Sequence, residues 1–158
     1  MDFHIGDKVI HSMYGLGEIV FIEEKIIHDQ PANCYVFRTR DLTIWIPIND
    51  LHQNSLRMPT LPDEFTSLFS ILSGAGEPLP EDRTERKDQL IARMRSGSLQ
   101  SICQVVRDLT QFKRNSKLTD QEKSILERAT NTLLTEWIYS LGVTRLQAEH
   151  AMTQLLQE

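Results

Sequence analysis

The chain has 158 residues, of which 40% are hydrophobic and 25% are charged, and its formal net charge is -5 at pH 7. These values lie close to the globular average and exclude wholesale disorder and the collagen-like and membrane-embedded classes. The sequence contains no apolar run long enough to cross a bilayer and no secretory signal pattern, so we expect a cytoplasmic protein with no membrane partner.

The chain begins with a predicted β-hairpin. Its two apolar segments, residues 8–11 and 18–23, are short, β-branched and bounded by glycines, which favours strands over a helix. Gly15 and Gly17 lie between these segments and can adopt positive φ, so a tight turn is expected here. An isolated hairpin is unstable in water, and further strands must therefore cover its apolar face.

Two further strands are predicted over residues 34–37 and 43–46. The polar segment 25–33 before them contains Pro31 and is interpreted as a turn-rich connection. Pro47 should end the last strand, because it lacks the backbone amide that a central strand needs. Four or five short antiparallel strands within about fifty residues are typical of a small SH3-like or Tudor-like barrel. Barrels of this size are interaction modules more often than enzymes.

From residue 60 onward the apolar periodicity becomes helical. Apolar stripes, capping boxes and closing glycines predict five helices. Their expected starts are near Thr60, Glu81, Ser98, Thr119 and Thr144, and the first four end near Gly74, Arg95, Lys113 and Leu141. The sequence therefore predicts an α+β fold with two segregated domains: a small antiparallel β-barrel over residues 1–58 and an all-α bundle of about five helices over residues 59–158.

The two tryptophans are predicted to have different environments. Ile44 and Ile46 alternate on the apolar face of the fourth strand, which places Trp45 on the opposite face, where it is a candidate protein contact. Trp137 follows Leu133 by four residues in the longest helix and is expected in the core.

Positive charge is concentrated in residues 82–128, which contain 11 Lys and Arg against 7 Asp and Glu, leaving 6 against 15 elsewhere. A phosphate backbone would be met here, if anywhere. The alternative is a solvated helix surface on which residues such as Arg93 with Arg95 and Arg107 with Asp108 serve as surface charges and ion pairs. Charge alone favours this alternative.

The sequence contains no catalytic or cofactor-binding motif. It has no GxSxG elbow, no Walker or Rossmann glycine loop and no kinase signature. Neighbouring carboxylates at Glu23–Glu24 and Asp63–Glu64 suit a strand edge and a helix N-terminus. The two cysteines and five histidines lack metal-ligand spacing. We therefore expect no enzymatic activity, no small-molecule substrate, no cofactor and no metal site.

Both halves of the chain carry motifs of a known family. In the first half these are residues 3–10, Gly15 with Gly17, Ile22–Glu23, residues 41–44 with Ile46–Pro47, and Leu56–Arg57. In the second half they are Arg86, Ser96–Gly97, residues 105–109, Leu118–Thr119 and Glu122–Lys123. Together they resemble the CarD-like (CdnL-type) bacterial transcription regulators, whose amino-terminal module is shared with transcription-repair coupling factors. The resemblance covers nearly the whole chain.

The resemblance implies a Tudor-like domain that binds the β subunit of RNA polymerase by extending a sheet at an exposed strand edge. It places Lys25, Ile44, Trp45 and Ile46 on or beside this polymerase-binding edge. Lys25 matches a basic contact position of the family, and Trp45 replaces a second basic position of some relatives. This replacement changes the type of contact from charged to apolar.

The resemblance also implies a helical domain that meets promoter DNA at the upstream edge of the transcription bubble. In the family a tryptophan wedges into the minor groove, basic residues hold the phosphates, and collapse of the open complex is slowed. The wedge position, three residues before Arg86, is Arg83 here, and a nearby family lysine is Asp88. We therefore expect a weaker DNA contact that works by charge, formed by Arg83, Arg86, Lys87 and Lys123.

The sequence thus predicts a non-enzymatic regulator that binds the polymerase β subunit and stabilises the promoter open complex. The first alternative is a protein-interaction module that binds polymerase or another partner but has lost the DNA wedge, which Arg83 and Asp88 favour. A KOW-like RNA or ribosome binder ranks below it, because residues 1–57 hold 5 Lys and Arg against 8 Asp and Glu. An enzyme ranks last.

Overall fold

The structure is a computed structural model that describes residues 2–49 and 56–157. It divides into two compact units, Met1–Pro59 and Thr60–Glu158. The first unit is built on a β-sheet, and the second consists of helices. An antiparallel β module followed by an all-α module is the predicted α+β fold class, which is confirmed.

Five strands are described in the first unit. They are β1 (Lys8–His11), β2 (Gly15–Ile27), β3 (Gln30–Arg38), β4 (Thr43–Pro47) and β5 (Leu56–Arg57). All neighbouring strands are antiparallel, and their order in the sheet is β4-β3-β2-β1-β5. As predicted, Pro47 is the last residue of β4.

The connection between β2 and β3 differs from the prediction. The segment 25–33 is not a long connection, because β2 continues to Ile27 and β3 begins at Gln30. Only His28 and Asp29 lie between them, with φ of 50° and 63°. Positive φ at both central residues is the geometry of a type I′ turn, whose twist matches that of the flanking strands. A two-residue turn thus replaces the expected loop and lengthens the hairpin.

Pro31 lies inside this hairpin without disrupting the sheet. It pairs with Ile26 of β2, whereas β4 pairs with β3 only between Cys34 and Arg38. Pro31 therefore lies in the part of β3 that has one neighbouring strand, where proline is tolerated in a sheet. The polar character of the segment, with Asp29, Gln30 and Pro31, indicated a longer connection, and the position of Pro31 explains why the strand continues through it.

The two glycines of the first hairpin have different roles. Gly15 has the expected positive φ of 80°. Gly17 is instead required by space, because a Cβ atom at this position would lie 2.5 Å from the ring of Phe37 and 2.7 Å from the carbonyl oxygen of Arg38. The fully buried ring of Phe37 packs against the backbone at Gly17, and only a residue without a side chain leaves room for it.

The core of the first unit lies on the inner face of the sheet. Its buried side chains are Phe3, Val9, Ile19, Tyr35, Phe37 and Ile46. The ring of Phe3 meets that of Tyr35 edge to face at 5.6 Å, and the Phe3 amide donates a hydrogen bond to the Tyr35 hydroxyl at 3.0 Å. These contacts attach the segment before β1 to the sheet.

The second unit contains five described α-helices, as predicted. They are α1 (Phe65–Ser73), α2 (Arg83–Arg95), α3 (Leu99–Asn115), α4 (Asp120–Leu141) and α5 (Arg145–Leu156), with a short 3-10 helix (Pro62–Glu64) before α1. The capping boxes at Thr119 and Thr144 are present. Gly142 ends α4 in the left-handed conformation with φ of 64°. The sequence also predicts a capping box of Thr60 with Asp63, which is wrong by one residue, because the Thr60 amide donates to the Glu136 carboxylate and the Leu61 amide donates to the Glu64 carboxylate.

An aromatic cluster joins the first and fourth helices inside this unit. Trp137 is 3% exposed, which confirms its predicted core position. Its ring lies 4.8 Å from that of Phe69 and 6.2 Å from that of Phe65, measured between centroids. Cys103 belongs to the same hydrophobic core, and its burial raises the pKa of its thiol to about 12, so it behaves as a small apolar side chain.

We predict that Gly17→Ala and Gly15→Ala destabilise the β-sheet unit for different reasons. Gly17→Ala forces overlap with Phe37 and should cost about 1–3 kcal/mol, as overpacking does. Gly15→Ala meets no atom within 4 Å but keeps an unfavourable φ, which should cost about 1–2 kcal/mol. Hydrogen exchange of the β1 and β2 amides measures both losses.

The second substitution Phe37→Leu separates the two causes. It makes room beside residue 17, so it should partly rescue Gly17→Ala while leaving the effect of Gly15→Ala additive. Equal additivity of Phe37→Leu with both alanine variants would show that the Phe37 ring is not the cause, and would leave the overlap with the Arg38 carbonyl oxygen as the steric explanation.

Candidate functional site

Strand β4 forms one edge of the sheet. It pairs with β3 on one side, and no other described strand lies beside it. The outer edge of such a strand presents backbone N–H and C=O groups that can pair with a strand from another chain. The predicted polymerase-binding residues Ile44, Trp45 and Ile46 all lie on this strand.

The side chains of these three residues point to opposite faces. Ile46 is 7% exposed and belongs to the core, and Ile44 packs against that core. Trp45 is 37% exposed and lies on the outer face, as the alternation predicts. Only Trp45 can therefore offer a side chain to a partner on the outer face, whereas the two isoleucines position the strand.

Trp45 is held in place by two residues of β2. Its indole Nε1 donates a hydrogen bond to Oε1 of Glu23 at 2.5 Å. The Nζ atom of Lys25 lies 3.7 Å from the centroid of the indole, a cation–π contact. Cys34 and Val36 belong to β3, which lies between β2 and β4, and their side chains are buried. The structure thus brings the predicted Lys25 and Trp45 into direct contact.

Phe21 and Glu23 belong to the same surface and were missed by the sequence analysis. Phe21 pairs with Val36, which in turn pairs with Trp45, so both aromatic side chains lie on the outer face. Phe21 is 56% exposed. We call Phe21, Glu23, Lys25 and Trp45 the Trp45 surface. The period-two spacing of residues 21, 23 and 25 was the available signal, but β2 was predicted to end at residue 23.

In the second unit, the predicted DNA-binding residues of α2 have different environments. Arg83 is the first residue of the helix and is exposed, and Lys87 is partly exposed. Positions four residues apart lie on the same side of a helix, so Arg83 and Lys87 can face one ligand together. Asp88 is exposed directly after Lys87 and adds a negative charge.

Arg86 is buried, and this corrects its prediction as a DNA contact. It is 5% exposed and forms an ion pair through Nε with Glu122 of α4. Its Nη1 atom donates to the carbonyl oxygens of Pro80 at 3.0 Å and Glu81 at 3.1 Å. The guanidinium also lies 4.7 Å from the ring centroid of Phe112. The side chain is therefore part of the packing between helices and is not available to a phosphate.

Glu122 has two partners that together keep it ionised. Its Oε2 atom accepts from Arg86, and its Oε1 atom accepts from the Thr119 amide at 2.9 Å. Burial alone raises the pKa of Glu122, but the hydrogen bonds from Arg86 and Thr119 outweigh it and the pKa lies below the ordinary 4.5. Lys123 follows directly and is exposed. The ion pair therefore connects the helix of Arg83 and Lys87 to the helix of Lys123.

A second buried ion-pair cluster lies on α3. The carboxylate of Asp108 accepts from Nη1 of Arg93 at 2.7 Å and from Nε of Arg107 at 2.8 Å. It also accepts from the backbone amide of Glu77 at 3.1 Å. These contacts confirm that Arg93, Arg107 and Asp108 form ion pairs, but the cluster is buried and not on the solvated surface that was expected. They attach the segment before α2 to α3.

Two other kinds of site are absent from the described part of the chain. None of its helices combines the length and the apolar character needed to cross a membrane. Within residues 2–49 and 56–157, no three His, Cys, Asp or Glu side chains form a group that could hold a metal ion.

Comparison with known proteins gives matches for both units. The family model described as the CarD C-terminal domain matches residues 67–153, and the model of the CarD-like/TRCF RID domain matches residues 3–58. A relative from Bacillus subtilis (strain 168), named "Putative transcription factor YdeB", is 27% identical over 147 residues. The aligned region covers 92% of this chain and 96% of the relative.

We predict that Glu122→Gln destabilises the helical unit strongly. Glutamine keeps an oxygen for the Thr119 amide but leaves the buried Arg86 charge unpaired, which should cost about 3–5 kcal/mol. Urea unfolding followed by circular dichroism at the helix wavelength measures the loss. Glu127→Gln is the matched control on the same helix, where Glu127 is exposed, and its effect should stay within about 0.5 kcal/mol.

The same pair should make the unit sensitive to acid. Because the pKa of Glu122 is lowered on folding, its stabilisation is complete above pH 4.5 and is lost as the pH falls through the folded pKa. The difference in unfolding free energy between the parent and Glu122→Gln should therefore narrow below pH 4.5. A difference that stays constant from pH 7 to pH 3 would contradict the ionised pair.

Proposed function

The chain belongs to the CarD family of transcription factors, and we propose that it binds the β subunit of RNA polymerase and stabilises the promoter open complex. Residues 1–58 would bind polymerase, and residues 59–158 would approach promoter DNA. The observation that supports the first part most directly is Trp45, which is exposed and held by its neighbours on the edge strand β4.

The Trp45 surface suits a protein partner. Tryptophan is enriched among residues that dominate binding energy, and the contacts with Glu23 and Lys25 hold its ring before binding. A side chain that is already ordered loses less conformational entropy in a complex. A partner strand could pair with β4 while its side chains contact Trp45. Backbone pairing would then supply affinity, and the Trp45 surface would supply specificity.

The proposed DNA contact consists of Arg83, Lys87 and Lys123. Arg86 is left out because it is buried in the Glu122 ion pair. The three remaining side chains can meet phosphates without reading bases, so this contact should tolerate changes of sequence and weaken with salt. Arginine can also enter a narrow minor groove, where the negative potential holds it. This is the role that we propose for Arg83 in place of a wedge.

Neither proposed contact requires a chemical step. Strand pairing, aromatic burial and phosphate contacts are all noncovalent, so we propose a non-enzymatic regulator that uses no cofactor and no small-molecule substrate. We also propose that it acts in the cytoplasm, in the same compartment as bacterial RNA polymerase.

A second candidate function is favoured by one observation. Asp88 is exposed beside Lys87 and would repel the phosphates that Arg83 and Lys87 attract. If this repulsion prevails, the protein is an interaction module that binds polymerase, or another partner, without contacting DNA. The two functions share the Trp45 surface and differ only in the helical unit.

We predict that the double variant Lys25→Glu/Trp45→Ala loses affinity for a purified β-subunit fragment. Removal of a tryptophan that dominates an interface costs at least about 2 kcal/mol, which is roughly a thirtyfold loss. Biolayer interferometry with the full chain measures it. Ile26→Ala is the matched control, because Ile26 is 70% exposed but lies on the opposite face of β2. Unchanged affinity of the double variant would refute the proposed surface.

We predict that Arg83→Ala weakens binding to forked promoter DNA and that Asp88→Lys strengthens it. Loss of one phosphate contact should reduce the slope of log affinity against log salt by about 0.7–0.9. Fluorescence anisotropy between about 50 and about 200 mM salt measures this slope. Arg95→Ala serves as the control, because Arg95 is exposed in the last turn of the same helix.

The same titration separates the two candidate functions. Binding by the parent that depends on Arg83 supports the open-complex role. If the parent does not bind forked DNA at low salt but still binds the β fragment, the interaction module is the correct assignment.

A further inference from the structure

A groove of about 420 Å³ lies on the surface of the helical unit, between the end of α3 and the beginning of α4. Leu118 and Leu126 form its apolar part, and both pack into the helical core. Its remaining lining residues are Lys113, Ser116, Lys117, Lys123 and Glu127. The volume falls within the range of roughly 300–1,000 Å³ that is typical of ligand sites.

The groove has an excess of positive charge at its rim. Lys113, Lys117 and Lys123 are exposed, and Glu127 is the single acidic residue of the lining. None of these lysines forms an ion pair with a carboxylate of the residues that the structure describes. Three ammonium groups therefore surround an apolar floor and are available to an anionic partner.

We propose that this groove binds an acidic amphipathic peptide segment of a partner protein. The apolar side chains of such a segment would cover Leu118 and Leu126, while its carboxylates would meet the lysines of the rim. Amphipathic helices bind hydrophobic grooves between helices in this way. The charges would fix the orientation and speed association, and apolar burial would add to the affinity.

Duplex DNA fits the groove less well. Its backbone offers phosphates to the lysines but no apolar side chains to cover Leu118 and Leu126, and Glu127 would repel it. Lys123 is the one residue that the groove shares with the proposed DNA contact. Lys113 and Lys117 belong to the groove alone, so they can be changed without altering that contact. The inference does not depend on DNA binding by the second unit.

The test uses a synthetic fluorescein-labelled helical peptide with leucines at positions i, i+3, i+4 and i+7 and glutamates on the opposite face. Its binding to the full chain is measured by anisotropy at low salt. Two matched peptides, one with serine for leucine and one with glutamine for glutamate, should each bind at least about tenfold more weakly. Such losses correspond to about 1.4 kcal/mol for the apolar and for the charged contribution.

Matched charge reversals locate the binding site. Lys117→Glu should reduce the affinity for the acidic peptide at least about tenfold, whereas Arg95→Glu should change it less than about twofold. Both residues are exposed, so neither change should unfold the protein, and thermal unfolding followed by circular dichroism checks this. Lys113→Glu should reproduce the effect of Lys117→Glu.

Three results would overturn the inference. The acidic peptide does not bind the parent protein, or it binds Lys117→Glu and Arg95→Glu equally well. In the third, a random DNA duplex of equal charge binds the parent protein more tightly than it binds Lys117→Glu, while the acidic peptide shows no such difference. That result would make the groove a nucleic-acid contact. The forked-DNA titration of Arg83→Ala is independent of all three, so the failure of one proposal does not decide the other.

Discussion

The helical unit depends on one buried charge. Arg86 contacts the segment before α2 through two carbonyl oxygens, α3 through Phe112 and α4 through Glu122. An unpaired guanidinium in the interior would be destabilising by several kcal/mol, so all of these contacts are needed together. The Glu122 carboxylate also accepts a hydrogen bond in the capping box of α4. The same carboxylate therefore both caps this helix and neutralises the charge of Arg86. The exposed basic residues at the starts of α2 and α4 are positioned by this ion pair.

A comparable constraint in the first unit is the length of the β2–β3 hairpin. Because its turn has only two residues, β2 extends far enough for the side chains of Glu23 and Lys25 to reach over β3 and contact Trp45. Cys34 lies beneath them, and burial is the main reason why the pKa of its thiol is raised. The Trp45 surface therefore lies over the buried side chains of Val36 and Cys34. It presents an indole held by its neighbours and two side chains of opposite charge. Each feature follows from strand pairing in a fixed register.

Much of this organisation could be predicted from local sequence patterns. Period-two alternation predicts Trp45 on the outer face of the sheet, and capping boxes predict the starts of α4 and α5. Both signals depend on neighbours within a few residues. Two errors have a different cause. Pro31 indicated a turn, although a proline is tolerated where a strand has one neighbour. Arg86 indicated a phosphate contact, and its burial depends on Glu122, which is 36 residues away. Partners this distant leave no periodic trace in a single sequence.

Under the proposed function, Arg83 stands where the family resemblance implies a wedge tryptophan, and this would change what the helical unit must do. A wedge gains affinity by burying an aromatic ring in distorted DNA, whereas the proposed contact of Arg83 would act by charge and weaken as salt rises. Non-specific contacts of this kind typically have dissociation constants of about 10⁻⁴–10⁻⁶ M. A protein that is already bound to polymerase presents its DNA-facing residues at an effective concentration of around millimolar. That concentration exceeds such dissociation constants, so a weak DNA contact would suffice once the proposed Trp45 surface had bound polymerase. Binding to polymerase would then determine where the protein acts, and the charge of the helical unit would determine how long the promoter stays open.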